Sequence, residues 1–190
     1  PDDALDRAGS TGKEFFFTRV RVVNEAGDDC GPDEPGEVLV KGPHIMVGYL
    51  NREDATAESI VNGWLRTGDV AVMDADGFVY IQDRVKDMII SGGENVYPAE
   101  IENAIFGMEG VNEVAVIGIP SEKWGESPLA VVVRADDSVT EDAVLEHVSG
   151  KLARFKQPKK VEFTEVIPRN PTGKVLKRVL RDQFADVSAE

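Results

Sequence analysis

Apolar and polar residues alternate with a period of two from Arg19 to Asn24, as in a half-buried strand, and the run breaks at the turn-forming Glu25-Ala26-Gly27-Asp28. Glu37 to Lys41 repeats the pattern between Gly36 and Gly42-Pro43. Two further strands are predicted over Asp69 to Asp74 and Phe78 to Gln82, joined by Asp74-Ala75-Asp76-Gly77, whose Asp-Gly pair is a hairpin signal. The one helix predicted here, Glu53 to Val61, opens on Glu53 and Asp54, where the helix dipole favours negative charge. Up to about residue 83 the chain therefore reads as mostly β.

Beyond Arg84 helices and strands alternate. A helix is predicted from Pro98 to Gly107, with the proline in the first turn where its missing N–H costs nothing. Strands follow at Glu113 to Ile119, ending at Pro120, and at Leu129 to Arg134. Thr140 caps a helix expected to reach about Ala153, Val161 to Glu165 is a short strand, and Val175 to Phe184 a last helix. The fold class is α+β: a small β subdomain over residues 1–83, then a compact α+β domain over residues 84–190. No Gly/Ser linker marks the boundary near residues 83 to 86, which predicts a tight hinge.

A chain of 190 residues, 42% hydrophobic and 29% charged, can bury a core and is not compositionally disordered. No apolar run approaches the roughly 20 residues of a membrane helix. There is no charged-then-apolar leader, and the single cysteine, Cys30, excludes an internal disulfide; both fit a reducing, cytoplasmic setting. Pro1 stands where an initiator methionine is expected, so the start reads as a cut end of a longer polypeptide. The net charge of −14 argues against nucleic acid or an anionic membrane as a partner. Charge is unevenly spread: residues 151 to 181 hold ten Lys/Arg against two Asp/Glu, leaving −22 for the remainder. That basic stretch is either a solvated helical face or a seat for a phosphorylated ligand.

Three segments carry candidate chemistry. In Gly63-Trp64-Leu65-Arg66-Thr67-Gly68-Asp69, the carboxylate of Asp69 at a strand start can accept hydrogen bonds from ribose hydroxyls, although a lone aspartate there is more often a turn former. In Asp83-Arg84-Val85-Lys86-Asp87-Met88-Ile89-Ile90-Ser91-Gly92-Gly93-Glu94, Arg84 is a fork of donors suited to phosphate or ribose, and Gly92-Gly93 permits a backbone path closed to residues with a Cβ. Judged singly, these residues also fit a surface hairpin with a glycine turn. In Pro168-Arg169-Asn170-Pro171-Thr172-Gly173-Lys174, two prolines and a glycine project a compact ammonium just before the last helix, where it could offset charge on a carboxylate attacking phosphorus. The Gly-Lys pair is not a P-loop, because the glycine spaced four residues earlier is absent.

Together, and in this order, the segments resemble the C-terminal portion of the adenylate-forming superfamily of acyl-CoA synthetases, peptide-synthetase adenylation domains and beetle luciferases, with closest similarity to fatty-acid and aryl-acid CoA ligases. Tyr49-Leu50-Asn51, Ala55-Thr56-Ala57 and the run to Asp69 match the segment ending in that family's ribose-binding aspartate. Asp83 to Asp87, continuing through Pro98-Ala99-Glu100-Ile101-Glu102, matches its hinge motif, and Pro171-Thr172-Gly173-Lys174 its catalytic-lysine motif. The likeness runs from about Gly9 to Phe184. It implies the end of the large N-terminal half followed by a mobile lid, and a ligase that uses ATP, Mg2+ and coenzyme A. A carboxylic acid reacts with ATP to give acyl-AMP, and coenzyme A then displaces AMP. By the same resemblance Asp69 holds the ribose, Arg84 contacts the nucleotide, Lys174 is catalytic and Lys86 is the hinge. Gly92 and Gly93 line the coenzyme A tunnel, and Lys151 to Lys160 is a candidate for holding its phosphates. The family's phosphate loop, magnesium-binding glutamate and acyl pocket are not in these residues, so the chain alone is expected to be inactive and to need the rest of the N-terminal half as partner. Ile90 stands where several relatives have lysine. The competing reading is a stand-alone nucleotide- or coenzyme A-binding module without turnover.

Overall fold

The computed structural model describes residues 6–189; residues 1–5, which include the start read as a cut end, lie outside them. Two compact units emerge, Pro1–Lys86 and Asp87–Glu190, dividing after Lys86.

The first unit is one antiparallel sheet. β1 (Arg19–Val23) pairs with β2 (Gly36–Lys41), and β2 pairs with β4 (Trp64–Met73), which also pairs with β3 (Ile60–Val61) and β5 (Val79–Arg84). The Asp74 to Phe78 turn forms as expected, because the Asp74 Oδ1 accepts the N–H groups of both Asp76 and Phe78. α1 stops at Ser59 (Glu53–Ser59), short of the predicted Val61. Ile60 and Val61 instead pair with Leu65 and Trp64 across Asn62-Gly63, both at positive φ. An Asn-Gly pair supplies the two left-handed residues of a tight hairpin, and the β-branched Ile60 and Val61 favour extension over another helical turn. The core here is thin: Val38, Ala71 and Val79 are buried, with Val20, Val40 and Met73 packed against them. Phe15, Phe16 and Phe17 are 74–86% exposed.

The second unit is a mixed five-stranded sheet covered on both faces. β6 (Ile89–Ser91) and β7 (Glu94–Val96) form a hairpin, β8 (Val111–Ser121) and β9 (Gly125–Arg134) a long antiparallel pair, and β10 (Lys160–Phe163) runs parallel to β9. Alternate residues of β8 and β9 point to opposite faces. Val116, Ala130 and Val132 pack with Ile101 and Ile105 of α2 (Pro98–Phe106) and Val144 and Val148 of α3 (Glu141–Ser149). Ala115, Ile117, Leu129 and Val131 pack with Ile167 and with Leu180 of α4 (Lys177–Gln183). Burial on both faces is why Leu129 to Val133 reads as an unbroken apolar run rather than an alternation.

Several boundaries move, among them the start of β9, at Gly125 rather than Leu129, and the end of β10, at Phe163 rather than Glu165; three others have a local cause. β8 continues through Pro120 to Ser121, because it pairs only with β9 and the Pro120 carbonyl turns outward to accept the Ala189 N–H at 3.2 Å; on such an edge the missing proline N–H breaks no ladder. α3 is capped by Thr140 as predicted, with its Oγ1 accepting the Ala143 N–H, but ends at Ser149 rather than Ala153. There the N–H groups of Lys151 and Leu152 both close on the Val148 carbonyl. α4 starts at Lys177 rather than Val175, because Val175 bridges to Arg169 and the Leu176 N–H is held by the Pro168 carbonyl.

Candidate functional site

In the first unit, Asp69 and Arg84 stand opposite each other in the β4–β5 ladder, and Arg84 Nε lies 2.7 Å from Asp69 Oδ1. Asp69 does not open a strand as predicted but sits within β4 at an irregularity. Glu37 faces Val70 and Leu39 faces Arg66, so Thr67, Gly68 and Asp69 together oppose Val38 alone. Thr67 ties down this bulge by donating its hydroxyl to the Val38 carbonyl at 2.9 Å while accepting the Asp69 N–H at 3.1 Å. Such a bulge re-aims a side chain out of the regular pleat. The product is a part-exposed carboxylate beside a guanidinium, able to take a vicinal diol: the carboxylate accepts hydroxyl protons and the guanidinium donates to the oxygens. Lys86 lies exposed in a 3-10 turn, Val85–Asp87, just beyond Arg84.

In the second unit, Lys174 sits on a loop built for it. Asn170 Oδ1 accepts from the Thr172 N–H, the Thr172 hydroxyl and the Lys174 N–H at 2.8–3.0 Å. The Asn170 N–H in turn donates to the Lys174 carbonyl at 2.9 Å, and Gly173 takes a φ of 86°, which closes the turn. Arg169 braces the loop from beneath, donating to the Gly173 carbonyl at 2.8 Å and to Glu113 of β8 at 2.6 Å. The Lys174 side chain is exposed, and among the described residues no ion pair holds its ammonium.

Gly92 and Gly93 form the two-residue loop of the β6–β7 hairpin, at φ values of 62° and 87°. The hairpin reading was therefore correct in form, and a turn with both central residues left-handed explains two successive glycines. The Gly92 N–H donates to the Trp124 carbonyl at 2.8 Å, and Gly92, though not Gly93, lines a cleft of about 540 Å³ walled by Trp124, Phe155, Lys123, Arg154 and Lys159. Against these three cations stands one lining carboxylate, Glu94. Burial, then repulsion from Arg154 and Lys123, holds the Lys159 ammonium below its ordinary pKa, so an anion entering the cleft relieves a charge already under strain. Lys174 is not part of this wall.

Of the basic run singled out in the sequence, Arg154 and Lys159 face the cleft, whereas Lys156 pairs with Glu100 and Lys151 contacts His147. The aromatic walls were missed. Their signal is a cation next to an aromatic ring in Lys123-Trp124 and Arg154-Phe155, which becomes legible only when the fold joins two segments 30 residues apart. Among the described residues, no group of three or more His, Cys, Asp or Glu side chains is placed to hold a metal ion. No helix among the described residues is long and apolar enough to cross a membrane.

Comparison with known proteins adds an independent line. A family model described as AMP-binding enzyme matches residues 1–50, and one described as AMP-binding enzyme C-terminal domain matches residues 100–174. A long-chain-fatty-acid–CoA ligase, FadD13, of Mycobacterium tuberculosis is 54% identical over 97% of this chain and 36% of its own length. A feruloyl-CoA synthase of Amycolatopsis is 49% identical over 95% of this chain and 38% of its own. Among solved structures, o-succinylbenzoate CoA synthetase of Bacillus subtilis in complex with its acyl-adenylate intermediate superposes with a TM-score of 0.90 at 40% identity, covering 96% of this chain and 37% of that one. The chain thus spans just over a third of the length of these relatives.

Proposed function

This chain belongs to the AMP-binding, adenylate-forming enzyme family, and from that premise we propose that it supplies the nucleotide-holding pair Asp69–Arg84 and the catalytic lysine, Lys174, to an ATP-dependent ligase that joins a carboxylic acid to coenzyme A. The observation that carries this reading is the Asn170–Lys174 loop, which spends a web of hydrogen bonds on presenting one unpaired ammonium. In the first step a carboxylate oxygen attacks the α-phosphorus of ATP and pyrophosphate leaves. Lys174 sits against the approaching oxygens and lowers the cost of their mutual repulsion. Asp69 and Arg84 hold the ribose in register with that attack. In the second step the thiol sulfur, giving up its proton, attacks the acyl carbon and the bond to AMP breaks. Lys174 must then give way to the thiol, and rotation about Lys86 provides the change.

The cleft beside Gly92-Gly93 is assigned to coenzyme A: its cations suit phosphates, Trp124 and Phe155 offer faces to a base, and the glycines let a slender arm pass close to the backbone. The thin core and exposed phenylalanines of the first unit support docking against further protein, the remainder of an N-terminal half. The triphosphate and its magnesium would be held by that remainder. A fatty or aryl acid is the proposed substrate class, and the chain by itself is not expected to turn over.

The reading is tested on the complete open reading frame by acid-dependent exchange of radioactive pyrophosphate into ATP, followed by loss of free thiol when coenzyme A is added. Exchange without an acid, or none with any member of a fatty and aryl acid panel, would overturn it. The cleft assignment has its own check. A Cβ at position 92 would lie 2.7 Å from Trp124 Cε3, on a backbone with φ of 62°. Gly92→Ala is expected to raise KM for coenzyme A roughly tenfold, about 1.4 kcal/mol of binding, while pyrophosphate exchange stays at the parent rate. A variant that lost exchange and kept its KM for coenzyme A would contradict the placement.

A further inference from the structure

The Lys174 loop runs directly into α4, whose apolar anchorage within the helix is a single side chain. Of its seven residues only Leu180 is buried, and no side chain caps its N-terminus. So short a helix does not fix its own direction. What orients it is two cations one turn apart, Lys177 and Arg181, which at this spacing share a face. Lys177 Nζ lies 2.7 Å from Glu102 Oε1 of α2, with side chains 12% and 24% exposed. The same Glu102 oxygen accepts the Val116 N–H of β8 at 2.8 Å. Arg181 Nη2 lies 2.9 Å from Asp87 Oδ1, and the Asp87 side chain is 14% exposed. Asp87 follows Lys86 directly and is the first residue of the second unit. Exposed ion pairs rarely matter, but Lys177, Glu102 and Asp87 are largely withdrawn from water and Arg181, at 35% exposed, is partly so; loss of Arg181 would strand a largely buried carboxylate.

We infer that Arg181 and Asp87 are positioning residues for adenylation. The pair fastens α4, and with it the Lys174 loop, to the residue beside the pivot, so that Lys174 travels with the turning backbone instead of pivoting about the single anchor at Leu180. Lys177 and Glu102 hold the other end of the same helix against α2. The inference rests on the proposed function, since only a reaction that needs Lys174 in one step and not in the other gives the pair a kinetic signature.

In the complete enzyme Arg181→Met is expected to lower the kcat of pyrophosphate exchange about tenfold, with KM for ATP changed less than about twofold, because a shift near 1 Å in a reacting group is enough for such a loss. Thioester formation from supplied acyl-AMP should keep its parent rate. Asp87→Asn, nearly isosteric, should show the same split in a variant that folds, and Arg181→Met combined with Asp87→Asn should lose no more than the worse single change. Arg181→Lys, which retains the charge, should recover most of the exchange. Equal losses in both half-reactions, no loss in either, or additive losses in the double variant would sink the positioning role. A parent enzyme with no exchange at all, or full exchange in Lys174→Ala, would instead strike the proposed function itself.

Discussion

Replacing Lys174 with alanine in the complete enzyme is expected to slow acyl-adenylate formation by about 10²- to 10³-fold, the usual cost of deleting one preorganised charge from a site where charge develops. Thioester formation from supplied acyl-AMP should remain near the parent rate. The asymmetry follows from charge. When a carboxylate approaches the α-phosphate, two anionic groups close on each other and a cation between them lowers the barrier. When a thiol attacks the acyl-adenylate, the carboxylate has been consumed and the ammonium has nothing comparable to offset. The alanine variant should fold normally, because Lys174 is exposed and it is Asn170, Arg169 and Gly173 that close the loop. Pyrophosphate exchange reads the first half-reaction, and AMP release from synthetic acyl-AMP in the presence of coenzyme A reads the second. Parallel losses in the two assays would remove Lys174 from its assigned role.

Residues whose role depends on neighbours in sequence were legible from the start. Thr140 caps the next residues and the Asp74 to Gly77 turn closes its hairpin, whereas the loop before Lys174 was read from its prolines and glycine and is held by Asn170, two and four residues away, which was not singled out. What stayed hidden depends on pairing between distant segments. Nothing local says that Pro120 lies on an edge strand, so the rule that proline ends strands placed the end of β8 at Ile119, two residues too early. Asp69 was read as opening a strand because Thr67-Gly68 resembles a turn, and only Val38 across the sheet makes it a bulge. The cleft draws Gly92, Trp124 and Phe155 from three segments, and Asp87 meets Arg181 across 94 positions. Asn62-Gly63 is a different case. Its hairpin signal was present locally and was overridden by the helical reading of the residues before it.

Leu180→Ala should be the most damaging of the conservative core changes for the second unit, at about 2 to 5 kcal/mol, the range for truncating a fully buried leucine. Leu180 is fully buried among Ile117, Leu129, Val131 and Ile167, and it is the one buried side chain of α4. Its loss leaves a cavity on one face of the sheet. The opposite face, where Ile101, Val116, Val132 and Val148 pack, does not include it. The damage should therefore be local before it is global. Amide exchange at Leu180 and Phe184, whose N–H groups close on the Leu176 and Leu180 carbonyls, should accelerate well ahead of exchange in α2. Val148→Ala on the other face is the control, since it should lower the unfolding midpoint of the unit in denaturant without singling out α4. If α4 holds the bearing of Lys174, Leu180→Ala should also depress pyrophosphate exchange more than thioester formation at temperatures where the fold survives, and Val148→Ala should not. Uniform acceleration of amide exchange across the unit in both variants would mean that the two faces unfold as one and that α4 has no independent freedom to lose.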